Sequence, residues 1–125
     1  MDISLDRPGE FLFVRRVAAR AITVVDRDIS ASFLLAPDQA MENWPVTDAR
    51  TLGADQVESV LALQPELVIL GTGERQVFPP AEFMAGFLRR GVGIEVMDNA
   101  AAARTYDLLA GEGRRVVVAF VLPPP

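Results

Sequence analysis

The stretch Leu67-Val68-Ile69-Leu70-Gly71-Thr72-Gly73 decides the fold. Its apolar residues run on without polar alternation, which describes a strand covered on both faces, the habit of parallel strands sandwiched by helices. The glycines turn the chain immediately afterwards. On the N-terminal side, apolar residues at 57, 60 and 61 have helical spacing and predict a helix over Ala54 to Leu63, ended by Pro65. On the C-terminal side, Pro79 and Pro80 open a second helix, where a missing N–H costs nothing. Phe83, Met84, Phe87 and Leu88 form its apolar face, Arg89 and Arg90 suit its negative end, and Gly91 suits a left-handed cap.

Val92 to Met97 then reads as a strand, and Asp98 or Asn99 caps a third helix running to about Leu109. On a helical wheel Ala101, Ala102, Thr105, Leu108 and Leu109 make its buried face, with Arg104 at the border and within reach of Asp107. Gly111-Glu112-Gly113 breaks this helix, and Val116 to Leu122, apolar on both faces, is expected to be the central strand. The second half thus alternates helix and strand, and its parallel strands should be joined by right-handed crossovers.

The first third has a different rhythm. Phe11 to Val17, Ala21 to Val25 and Ser30 to Leu35 read as strands, with Asp26-Arg27-Asp28 as a polar turn and Ala36-Pro37-Asp38 as a stop. They suggest an N-terminal antiparallel meander. Asn43-Trp44-Pro45 is a loop whose indole packs inward. No repeat or linker divides the chain, so residues 1–125 are read as a single α/β domain, fraying at Met1 to Pro8 and Pro123 to Pro125.

Composition removes whole classes of chemistry. There is no cysteine, histidine or lysine, and all 12 basic residues are arginine. Thiolate and imidazole catalysis, zinc thiolate sites and iron–sulfur ligation are excluded, and a metal would have to be held by oxygen ligands. No cofactor is expected. With 17 acidic residues and a net charge of −5, the chain is a poor match for nucleic acid. The pairs Arg15–Arg16, Arg89–Arg90 and Arg114–Arg115 read as solvated surface charge. Met1 to Asp6 is acidic and has no apolar core of a secretion signal, and the run Val116 to Leu122 is too short to span a bilayer. A cytoplasmic location is expected, without integral membrane segments.

Candidate chemistry is sparse. The Gly71-Thr72-Gly73 loop follows a buried strand, where α/β folds place ligand crevices, yet it lacks a third glycine and a following Gly-Lys-Ser/Thr. A tight turn accounts for it. The amides after Met97-Asp98-Asn99 suit an anion, but Asp98 satisfies them as a cap. Arg104 either forms a structural ion pair or reaches over the sheet edge to hold a carboxylate or phosphate. Glu95, Asp98 and Glu112 are carboxylates without a proven pairing, and the serines have no histidine partner. Tyr106 is as suited to packing as to reaction.

Three segments carry a resemblance: VILGTG at 68–73, the proline pair at 79–80, and GVGIEVMDNAAAARTYDLLAGEGRRVVVAFV at 91–121, with Trp44-Pro45 upstream. Together they resemble the Mth938-like domains, small bacterial and archaeal domains of unknown function grouped with a mitochondrial assembly factor for respiratory complex I. The resemblance implies a three-layer α/β domain with a central mixed, largely parallel sheet. It also implies a surface cleft lined by Gly71, Thr72, Gly73, Glu95, Met97, Asp98, Arg104, Thr105 and Tyr106. Asn99, Ala103 and Asp107 depart from the family's usual threonine, cysteine and asparagine, and Ala103 rules out thiol chemistry at that position.

The function expected is a non-enzymatic binding or assembly module with a protein partner, in the biogenesis of a respiratory membrane complex. The alternative is a small-anion or metabolite-binding protein, or a weak enzyme, using the Gly71–Gly73 loop with Arg104. Homo-oligomerisation through an apolar sheet edge is a third option.

Overall fold

The structure is a computed structural model that describes residues 2–4 and 10–124. Its centre is built from the two apolar runs that dominate the second half. Strand β7 (Leu67–Gly71) lies beside β9 (Val116–Phe120), parallel to it, and β8 (Gly93–Met97) lies parallel on the other side of β7. Across β9, the sheet turns antiparallel through β5 (Phe33–Ala36), β6 (Gln39–Met41) and β1 (Asp2–Ser4). The order is therefore β1-β6-β5-β9-β7-β8, a mixed sheet whose parallel pairings are those of β7 with β8 and β9.

Alternation along the central strands divides the interior into two cores. Val116, Val118 and Phe120 of β9, with Phe33 and Leu35 of β5 and Ile69 of β7, face one side. Val117, Ala119, Leu34, Ala36, Val68 and Leu70 face the other. That second side is covered by helices α1 (Ala54–Leu61) and α2 (Ala81–Leu88), through Val57, Val60, Phe83 and Phe87. Trp44 packs there as expected, its Nε1–H donating to Ser59 Oγ at 3.1 Å. The first side is covered by helix α3 (Asn99–Gly111) and by a small separate sheet of β2 (Val14–Val17), β3 (Ile22–Val24) and β4 (Arg27–Ile29). Helices, central sheet, and helix with small sheet make the three layers.

The first third differs in detail from the sequence reading. Arg27 and Asp28 are not a turn but lie in β4, paired with Val24 and Thr23. The turn is Val25-Asp26, with Val25 at φ +58, a left-handed position that a β-branched residue seldom takes. No glycine or asparagine marks it. The segment Ser30 to Leu35 does not complete the meander either: the chain crosses to the main sheet as β5 and returns as β6, a strand too short to show a pattern.

Helix boundaries follow the sequence closely, and the buried faces less so. Phe83 and Phe87 are buried, but Leu88 is 60 % exposed beyond the edge of the α2 contact. On α3 the buried residues are Asn99, Ala102, Ala103, Tyr106 and Ala110, whereas Leu108 is 63 % exposed. The true face is rotated from the predicted one because alanines permit close approach to the sheet and Tyr106 fills the space below. The fraying expected for Met1 to Pro8 does not hold for Asp2–Ser4, which pair with β6, while Met1, Leu5 to Pro8 and Pro125 lie outside the described residues.

Candidate functional site

The Gly71–Gly73 loop is held by contacts that depend on its glycines. Gly71 closes β7 against the first turn of α3: a Cβ there would overlap Asn99 Oδ1 and stand 3.1 Å from Phe120 Cδ1 and 3.2 Å from Ala102 Cβ. The room left by glycine is used by Asn99. Its buried side chain accepts the Gly73 N–H at 3.1 Å and donates to Val121 O at 3.0 Å, and its own N–H donates to Gly73 O at 2.8 Å. Gly73 at φ +109 adopts a conformation that other residues take only with strain. Thr72 is also buried, with its hydroxyl donating to Arg75 O at 2.5 Å and accepting the Val77 N–H at 2.9 Å. Asp98 caps α3 as expected, accepting the Ala101 N–H at 2.8 Å.

Beside this loop is an open cleft of about 230 Å³ between α3's first turn and the β2–β3 turn. Gly73, Glu74, Asp98, Asn99 and Ala100 line one wall, and Val17 to Ala19 the other. Its charged groups are carboxylates, and the Gly73 and Ala101 amides are already engaged, so the cleft is ill suited to an anion.

The remaining candidate residues are dispersed. Glu95 and Met97 lie on the face of edge strand β8 opposite Ile94 and Val96, and the Thr105 hydroxyl meets Met97 Sδ at 3.5 Å. Tyr106 is fully buried, donating to Leu12 O at 2.7 Å, and burial pushes its hydroxyl's pKa far above the ordinary phenol value. It is a packing residue and leaves the cleft to its neighbours. Arg104 does not pair with Asp107, and it does not line the glycine-loop cleft. It is exposed in an adjoining groove, which shares Val17 and Ala100 with the cleft.

That groove, of about 290 Å³, runs between β2 and α3 and holds Arg15, Arg16, Arg104 and Asp107. In the sequence Arg15–Arg16 reads as an isolated pair of solvated surface charges, and in a regular strand the two would point to opposite faces. Here the β2–β3 register shifts between Val14 and Arg16, leaving Arg15 as an extra residue in the strand. The bulge turns both arginines outward while Val14 and Val17 on either side pack inward. Asp107 accepts the Val14 N–H at 2.8 Å and so clasps α3 to the bulge. Burial pushes the Asp107 carboxyl up from the ordinary carboxylate range, opposed by that hydrogen bond.

Among the described residues, no group of three or more acidic side chains is placed to hold a metal ion, and no helix is long and apolar enough to cross a membrane. A family model for proteins of unknown function, DUF498/DUF598, matches residues 14–121. The chain belongs to this family. Its fold is that of a solved Xanthomonas campestris protein, with a TM-score of 0.82 at 42 % identity over 94 % of this chain and 89 % of the other. A Bordetella pertussis protein described as a Mth938-like domain matches with a TM-score of 0.76 at 30 % identity, over 97 % of this chain and 92 % of that one.

Among characterised proteins, the human NADH dehydrogenase [ubiquinone] 1 alpha subcomplex assembly factor 3 is 26 % identical over 119 residues, 94 % of this chain and 64 % of the factor. The 13 kDa major membrane protein of Francisella tularensis is 32 % identical over 84 residues, 66 % of this chain and 68 % of that protein. The family resemblance seen in the glycine loop and the α3 segment is thereby shown, and the DUF498 chain spans somewhat under two thirds of the assembly factors it matches.

Proposed function

We propose that this DUF498 protein is a non-enzymatic, protein-binding module that works in the cytoplasm on the assembly of a respiratory membrane complex. The observation that carries the reading is the match of 94 % of the chain to the human assembly factor. The composition of the chain supports it: without cysteine, histidine or lysine it has no thiolate, imidazole or amine chemistry, and among the described residues no buried side-chain polar atom lacks a partner. The contact surface is the end of the sheet at Gly73 and Asp98, shaped from beneath by buried Gly71 and Thr72 and extended by Glu95, Met97, Thr105 and Arg104. Tyr106 supports it from below.

The test is affinity purification of the tagged protein from its native host, with mass spectrometry of the eluate. The expected result is enrichment of NADH dehydrogenase subunits over an untagged control, weakened by Ala19→Arg and Glu74→Arg, which alter the cleft wall without touching a described hydrogen bond. An eluate without such subunits contradicts the assembly reading. The alternative of anion capture by the loop and Arg104 together finds no support in the geometry, because they line separate recesses.

A further inference from the structure

We infer that the groove between β2 and α3 is a docking site for an extended, carboxylate-rich segment of a protein partner. The inference rests on the reading above that the ligand is a protein, and it adds where the protein is held and by what chemistry. Arg15, Arg16 and Arg104 converge on this groove in a chain whose net charge is −5. The charge there is opposite to that of the molecule as a whole. Four arginines elsewhere are held in ion pairs: Arg27 with Glu42, Arg50 with Asp48, Arg90 with Glu58 and Arg115 with Asp38. Arg16 and Arg104 are exposed and have no ion-pair partner among the described residues, so their guanidinium forks are available.

The groove is also preformed. Two successive residues of α3 hold the strand that carries the arginines: Tyr106 donates to Leu12 O, and Asp107 accepts from Val14 N–H. Arg15 is held too, its Nε–H donating to Val25 O at 2.5 Å and its guanidinium lying 5.3 Å from the Phe13 ring centre. It supplies fixed positive charge to the wall, while Arg16 and Arg104 are left to grip. The bulge at Arg15 brings two consecutive arginines to one face at the cost of a regular ladder. The one carboxylate in the groove, Asp107, is turned to a backbone amide and so competes poorly for the arginines. Guanidinium groups bind carboxylates bidentately, so two acidic side chains on an extended segment match Arg16 and Arg104.

The probe is a fluorescein-labelled peptide of alternating glutamate and leucine, followed by anisotropy on the full chain at low salt. It should bind the wild type, bind more weakly as salt is raised, and weaken roughly tenfold or more with Arg104→Glu and with Arg16→Glu. Arg114→Glu, an exposed arginine outside the groove, should leave it unchanged. The same peptide with glutamine for glutamate should not bind. Thermal melts of the variants, expected to match the wild type, verify that the fold is kept. The inference is overturned if the peptide does not bind, if Arg114→Glu weakens it as much as the groove variants, or if inorganic phosphate or phosphatidylserine vesicles displace it from the groove. Failure of the peptide with NADH dehydrogenase subunits still co-purifying removes the groove alone. Peptide binding without co-purification removes the assembly reading and leaves the groove standing.

Discussion

At Gly71 a hydrogen stands where any other residue would place a carbon, and the vacancy is filled by the Asn99 carboxamide. One side chain there ties the glycine loop, the start of α3 and the strand exit at Val121. Gly71→Ala should therefore drive Asn99 out of place and break its bond to the Gly73 amide. The expected cost is about 1–3 kcal/mol, as for other overpacked sites, read as a lower urea midpoint with unchanged slope. A wild-type midpoint would show that Asn99 is free to move. The sequence marked Gly71, Asp98 and Asn99 as turn and cap residues, because those roles depend on local backbone chemistry. It could not show that Asn99 reaches back across residues distant in sequence, since that contact exists only once β7 and α3 are packed.

Among the elements, α3 shows most clearly what a sequence pattern can and cannot settle. Its ends were legible from Asp98 and from Gly111-Glu112-Gly113. Its buried face was legible only in part: Ala102 is buried and Leu109 packs against the core, but alanine is neutral between core and surface, and exposed Leu108 misled the wheel. Tyr106 is buried with its hydroxyl on Leu12 O, while Leu108 is exposed. Tyr106→Phe leaves a buried carbonyl without its donor and should cost about 1–3 kcal/mol. Leu108→Ala should stay within about 0.5 kcal/mol of wild type in the same denaturation experiment. The reverse ranking would return the buried face to the predicted position. The β2 bulge belongs to this scale too. Nothing in Val14-Arg15-Arg16-Val17 announces it, since the shift depends on the partner strand β3 and on the pull of Asp107.

For the molecule as a whole, the question is what joins the small sheet to the main one. Besides the shared core, Arg27 of β4 reaches Glu42 beyond β6 through hydrogen bonds of 2.6 and 2.8 Å. The bond from Arg27 holds the Glu42 carboxyl below the ordinary carboxylate range, against the opposing effect of burial. A carboxylate whose folded value is depressed stabilises the fold above its unfolded value and loses that contribution as pH falls through the folded one. Thermal melts should accordingly place Glu42→Gln below wild type near neutral pH, with the gap closing on acidification. A gap that is constant with pH would mean that the ion pair is not its source. The layered fold was legible because β7 and β9 are uninterrupted apolar runs. The division of the N-terminal strands between two sheets was not, because β4 and β6 are short and the Val25-Asp26 turn has neither glycine nor asparagine at its left-handed position.

The role we propose for this DUF498 chain is in the assembly of a respiratory complex. The most direct measurement is the amount of assembled NADH dehydrogenase, by native gel electrophoresis of membranes, in a native host lacking the gene. In that strain the assembled complex should fall, subunits or partial complexes should accumulate, and the wild-type gene should restore it. Unchanged complex in the deletion strain would contradict the claim.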